Sequence, residues 1–280
     1  MEFIDTAPGT ITVAQAALDM LSGLSLTAVS TPVFCAMLGI SGLIAGYLIS
    51  LWAASTAVWI QVSGWSTSID GPPEPTLAQI ISRATRSDLK VEHALVAALA
   101  GVIGYGAGLL TLNAGHPSPT PAMAVSVALA CWLLIASAAL DARVSMMADA
   151  PIMALLFLGL ASATLFPMPV TIEQSAIGAA SCYALLEGLR RVGRWVTGKP
   201  AMGDGDPLLL AAIAAWTGSW LGLLILVGAA ITCLAYMLAD NLAQHRASKF
   251  EISRTVAFGP FLAALGGTAI LGTNVIRVML

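Results

Sequence analysis

Residues 203–219 read Gly-Asp-Gly-Asp-Pro-Leu-Leu-Leu-Ala-Ala-Ile-Ala-Ala-Trp-Thr-Gly-Ser. Two glycines and two acids run directly into an apolar stretch, which breaks at Gly218-Ser219 and resumes to about residue 239. Proline suits the first position of a helix, so Pro207 puts Asp206 at the N-cap of an apolar helix. Gly218 and Ser219 read as a tight turn between a short apolar span, 207–217, and a longer one, 219–239. A carboxyl group at the end of such a span needs a reason. An ionised carboxylate is costly in apolar surroundings, and ionisable residues at membrane depth are functional candidates by default.

The rest of the chain extends this pattern. It has 280 residues, of which 58% are hydrophobic and 10% charged, with a mean hydropathy of +0.88. That composition belongs to an integral membrane protein. A span needs about 20 apolar residues, and eight segments qualify or nearly so: roughly 33–60, 94–113, 121–141, 151–169, 174–190, 207–217, 219–239 and 257–277. The expected fold is an all-α polytopic membrane bundle of about eight transmembrane helices. Residues 1–30, broken by Gln15, Asp19 and Gly23, form a lead-in or an interfacial helix. Residues 31–280 form a single transmembrane domain with a short cytoplasmic loop at 62–92.

Basic residues orient the bundle. Arg83, Arg86 and Lys90 precede the second segment, Arg143 follows the third, and Arg190, Arg191, Arg194 and Lys199 follow the fifth. Arg246, Lys249 and Arg254 follow the seventh, and Arg277 alone falls on the other side. Eleven of the twelve Lys and Arg thus occupy alternate loops, the positive-inside pattern, which puts both termini outside. A wrong span count would have scattered them over both faces.

Several classes are excluded or disfavoured. A net charge of −3 without a basic patch carries no nucleic-acid signal. Residues 1–10 hold Glu2 and Asp5 and no Lys or Arg, unlike a cleavable signal peptide. Cys35, Cys131, Cys182 and Cys233 lie in apolar runs without a CxxC, as packing residues do. His93, His116 and His245 are scattered, no HExxH occurs, and no metal site or cofactor is implied. No serine in an apolar run is expected to have a partner histidine, which disfavours an intramembrane serine protease.

With this parity Asp141 ends the third span and Asp206 begins the sixth, both at the cytoplasmic face. Two carboxyls at one depth can form an acid–base pair. Like charges a few Å apart do not both ionise easily, so one keeps a proton. The ionised member can then deprotonate a water while the other polarises a carbonyl, and the two titrate as a unit. Gly203 and Gly205 permit a tight backbone approach at Asp206. A plain reading stays open, in which Asp206 only caps a helix and the glycines make an ordinary turn. Asp149 caps the fourth span, Asp204 is a solvated loop carboxylate, and Glu187 faces Arg190 or Arg191 one turn along.

Three stretches resemble the type IV prepilin peptidases, membrane aspartic proteases of the GxGD class. The first is Ala139-Leu140-Asp141 with Asp149 eight positions later. The second is Thr197-Gly198-Lys199-Pro200-Ala201-Met202-Gly203-Asp204-Gly205-Asp206, followed by Ala215-Trp216-Thr217-Gly218. The third is Ala257-Phe258-Gly259-Pro260-Phe261-Leu262-Ala263. The resemblance implies catalysis by Asp141 and Asp206, with Gly203, Gly205 and Asp149 in support. It implies prepilin or pseudopilin substrates, contact with membrane lipids, no nucleic acid, and a multi-pass place in a bacterial inner membrane with periplasmic termini. Type IV pilus assembly or type II secretion is the implied setting.

The chain also departs from that pattern. Ala148 stands where relatives have Pro, Leu208 where they have Lys, and Pro200 where Glu often follows the TGK. The 62–92 segment contains no cysteine, whereas many relatives carry there a domain with two CxxC pairs linked to methylation. Peptidase activity is therefore the expectation, rather than methyl transfer. Two rivals remain: a non-enzymatic transporter or secretion-assembly subunit using the aspartates as an ion site, and a preflagellin- or signal-peptide-peptidase-like GxGD protease. The absence of an internal repeat counts against the transporter.

Overall fold

Each apolar segment becomes a helix, because a helix satisfies its backbone hydrogen bonds within itself where lipid offers none. The computed structural model describes residues 31–63, 90–113, 120–198, 202–245 and 256–276. The 1–30 lead-in, most of the 62–92 loop, residues 114–119 and 199–201, the basic 246–254 stretch and Arg277 lie outside the described residues.

The helices are α1 (Thr31–Ser63), α2 (Lys90–Asn113), α3 (Pro121–Val144), α4 (Asp149–Leu165), α5 (Ile172–Thr197), α6 (Asp206–His245) and α7 (Gly259–Ile276). No strand occurs among the described residues. Four of these stretches are long and apolar enough to cross a membrane, namely Thr31–Val58, Lys90–Leu112, Pro121–Val144 and Asp206–Leu242, while Asp149–Leu165 and Gly259–Thr273 are shorter apolar helices.

The turn read at Gly218 is a break inside α6, with φ 79° and ψ 173°. Only glycine visits that region cheaply. The two arms of α6 fold back on one another, so that a Cβ at position 222 would lie 3.1 Å from that of Ala214. The break frees backbone carbonyls, and α5 collects them. Ser175 Oγ donates to the Ala215 carbonyl at 2.6 Å, and Cys182 Sγ lies 3.9 Å from that of Ser219. Side chains of a neighbouring helix meeting broken backbone is how membrane helices tolerate such interruptions.

The N-terminal arm of α6 is the centre of the bundle. Leu209, Leu210, Ala212, Ile213 and Ala214 are all fully buried, and α4, α5 and α7 pack around the helix. Trp216 Nε1 donates to the Leu155 carbonyl of α4 at 3.0 Å. Helices α1 and α2 pair tightly through small residues: a Cβ on Gly46 would stand 2.6 Å from Val96 O, so nothing larger than glycine fits there. The outer faces are apolar and uncovered, with Ile40, Ile44 and Leu48 on α1 and Val227, Ile231 and Leu234 on α6 exposed. Lipid is the natural cover for faces of that composition.

Candidate active site

Asp141 lies in the last turn of α3, which Ser145 closes in the left-handed region (φ 52°) with its N–H on the Asp141 carbonyl. Asp206 opens α6. Both carboxyl groups are buried, at 5% and 3% relative exposure. The structure gathers them around one side chain: a Cβ on Gly205, next to Asp206, and a Cβ on Gly259, which holds Asp141, would each strike Met147. Each has one oxygen held by a backbone amide. Gly259 N–H, the first residue of α7, donates to Asp141 Oδ2 at 3.0 Å. Gly203 N–H donates to Asp206 Oδ2 at 3.1 Å. An N–H at a helix start has no intrahelical partner and is a natural donor to a carboxylate.

One sequence expectation is corrected here. Asp206 is not the N-cap, because the carbonyl of Gly205 accepts the first helical bond, from Leu209 N–H at 2.9 Å. The Asp206 side chain turns upstream to Gly203 instead of forward into the helix. The glycines are needed for close packing. A Cβ at Gly205 would stand 2.7 Å from Met147 Cβ, and one at Gly259 would overlap Met147 Cε and reach 2.6 Å from Asp141 Oδ2. Met147 is thus clasped between the Gly-x-Gly-Asp loop and the start of α7, and it joins the surroundings of the two aspartates.

The remaining candidates divide. Asp149 does not cap α4 as the sequence suggested: it stands exposed in the first turn, after the N-cap Ala148, which makes no side-chain cap. It forms no hydrogen bond or ion pair with either aspartate. Glu187 meets both predicted partners, with Arg190 Nε and Arg191 Nε each at 2.7 Å. Asp204 is solvated, at 84% side-chain exposure, yet it also pairs with Arg190 and lies 3.6 Å from Arg194. These ion pairs fasten the Gly-x-Gly-Asp loop to α5. Tyr236, on the returning arm of α6, and Phe261 of α7 make a ring contact, with centroids 5.8 Å apart.

A second polar group lies on the other side of α3. Ser50 Oγ and His93 Nδ1 are 2.7 Å apart, so a serine in an apolar run does have a histidine partner, 43 residues away. It is no hydrolase dyad, since Ser50 is fully buried and also receives Arg143. Among the described residues no group of three or more His, Cys, Asp or Glu could hold a metal ion.

Among the described residues, fold and site are those of an all-helical membrane protein with two buried aspartates at helix ends. Residues 128–238, which hold both aspartates, match the model of the Type IV leader peptidase family. That segment is similar to the family over the stretch that carries both aspartates, and the resemblance read from the motifs is borne out. The chain is 36% identical over 135 residues to a "Prepilin leader peptidase/N-methyltransferase" of Dichelobacter nodosus, covering 48% of this chain and 44% of that protein. It is 34% identical over 183 residues to one of Dickeya chrysanthemi, with 64% and 59% covered. A third, of Pseudomonas aeruginosa, is 32% identical over 152 residues, with 53% and 50% covered. The chain thus spans about half the length of the curated relatives it matches. No solved structure matches it.

Proposed function

We propose that this chain is a membrane aspartic endopeptidase that removes the leader from type IV prepilins or pseudopilins at the cytoplasmic membrane face. The observation that carries the reading is that Asp141 and Asp206 are both buried at helix ends, each with Oδ2 held by a backbone N–H. The pair acts as a unit: a carboxylate draws a proton from water while its partner, as the acid, hydrogen-bonds the scissile carbonyl. Gly203 and Gly205 let the loop close on the site, and Asp149 contributes favourable charge to the start of α4. Prepilin cleavage is what the relatives' printed names describe, and it favours the peptidase over an ion-site protein.

In this reading the eight apolar segments are eight spans, with the two arms of α6 as the sixth and seventh. The ends of the sequence lie outside, and the aspartates face the cytoplasm of a bacterial inner membrane. The basic-residue alternation supports that orientation. The unit that folds is 31–280, with 1–30 as lead-in. Substrates carry a basic leader on the cytoplasmic side and an apolar helix in lipid, and basic residues near the site attract anionic lipid heads.

Cleavage of a prepilin by the purified protein, followed by mass spectrometry of the product's N-terminus, tests this. A cut between leader and apolar helix is expected, with a free amino terminus even when S-adenosylmethionine is supplied. An uncut prepilin would refute the peptidase. A mass gain of one methyl group, about 14 Da by elementary chemistry, that depends on this protein would refute the single-activity reading.

A further inference from the structure

We infer that Arg143 is a positioning residue that aims Asp141, and that α1 and α2 thereby belong to the working site although they lie outside the matched 128–238 segment. The inference rests on the peptidase reading above. Arg143 stands two residues beyond Asp141 in the last turn of α3. Residues two apart are about 200° apart around a helix axis, so the two side chains leave on nearly opposite sides. Asp141 reaches α7 through Gly259. Arg143 reaches the other way: Nη1 donates to the Ser50 carbonyl at 3.3 Å, and Nη2 donates to Ser50 Oγ and Glu92 Oε2, each at 3.2 Å.

Of its two partner residues, Glu92 is 56% exposed and Ser50 is the fixed one. Ser50 is fully buried and bonded to His93, which is 2% exposed and lies edge-on to Tyr47. The cluster therefore joins α1, α2 and the end of α3 through the buried Ser50 and His93. The planar guanidinium fork meets three acceptors at once, which constrains rotation as well as distance. The terminal turn of α3 is held from both sides, and a rotation that released Arg143 would swing Asp141 away from Gly259 and Asp206. Reacting groups displaced by about 1 Å can cost about 100-fold in rate.

The test compares wild type, Arg143→Gln and Ser50→Ala in two measurements. The first is kcat and KM on a prepilin. Arg143→Gln should lower kcat by roughly 10- to 100-fold with KM within about threefold, since aim is lost rather than binding. Ser50→Ala should lower kcat by a smaller factor, about threefold or more on the same grounds. The second is hydrogen exchange at the Gly259 amide. That amide sits at a helix start, and Asp141 is its acceptor. Its exchange should quicken in Arg143→Gln while the interior of α3 keeps wild-type protection. The inference is overturned if Arg143→Gln keeps kcat within twofold, if the Gly259 amide keeps its protection, or if all of α3 loses protection, which marks a merely structural role. Should Arg143→Gln not insert, wild-type kcat in Ser50→Ala overturns it. Failure of wild type to cut prepilin would instead defeat the peptidase reading, and the exchange measurement would still judge Arg143.

Discussion

Gly259→Ala adds one methyl group at the point where α7 meets Asp141. The new Cβ would stand 2.6 Å from Asp141 Oδ2 and 3.2 Å from its Cγ, and it would overlap Met147 Cε. Ordinary contact for a Cβ begins near 3.4 Å, so the carboxylate must retreat by about 0.8 Å unless α7 moves as a body. The Met147 side chain is flexible and can turn aside; the carboxylate is tied by its hydrogen bond to the very residue that gains the methyl. Overpacking of this kind costs about 1–3 kcal/mol, which a bundle of this size tolerates. The larger consequence is chemical. A shift approaching 1 Å at a reacting group is worth about 100-fold in rate, so kcat should fall by roughly 10- to 100-fold while the protein inserts at normal levels. Steady-state cleavage of a prepilin in detergent gives kcat, and immunoblotting of membranes gives the level. A kcat within twofold of wild type at normal abundance would refute the packing argument and with it the placement of Asp141 against α7.

Gly205→Val should abolish cleavage without preventing insertion, because its Cβ would meet Met147 Cβ at 2.7 Å where the loop delivers Asp206; full activity would reduce the glycine to a spacer. Trp216→Phe should lower stability by about 1–2 kcal/mol, through loss of its hydrogen bond to Leu155 and some packing, and leave kcat nearly unchanged. Thermal unfolding in detergent beside a kinetic assay separates the two effects. Reporter fusions after Arg143 and Arg194 should read as cytoplasmic and one after His116 as external, and a cytoplasmic signal at His116 would break the eight-span arrangement.

Much of this architecture is legible in the sequence because apolar length and glycine are local signals. The helices fall where the apolar segments are, and Gly218 marks the break in α6. The same holds for the two aspartates, which stand out as acids at the ends of apolar runs. What escapes a single sequence is contact. Arg143 and Ser50 are 93 residues apart, and nothing in either neighbourhood names the other. Arg190 and Asp204 are separated by a helix end and a loop, so Asp204 reads as merely solvated. Met147 carries no signal at all, being one apolar residue among many, although two glycines are shaped around it. Gly259 is visible as part of a motif, but its reason, the approach of Asp141, is a tertiary fact. The N-cap reading of Asp206 misses by one residue because helix propensity at Pro207 is only a prior, and the upstream amide of Gly203 outweighs the forward cap.

The central claim is that Asp141 and Asp206 act as one catalytic pair. Its most direct test is single-turnover cleavage of a prepilin by Asp141→Asn, Asp206→Asn and the double variant, each inserted at wild-type levels. Each single change should lower the rate by at least about 1,000-fold, and the double variant should be scarcely slower than either, as groups that work as a unit behave. Wild-type cleavage by either single variant would contradict the account.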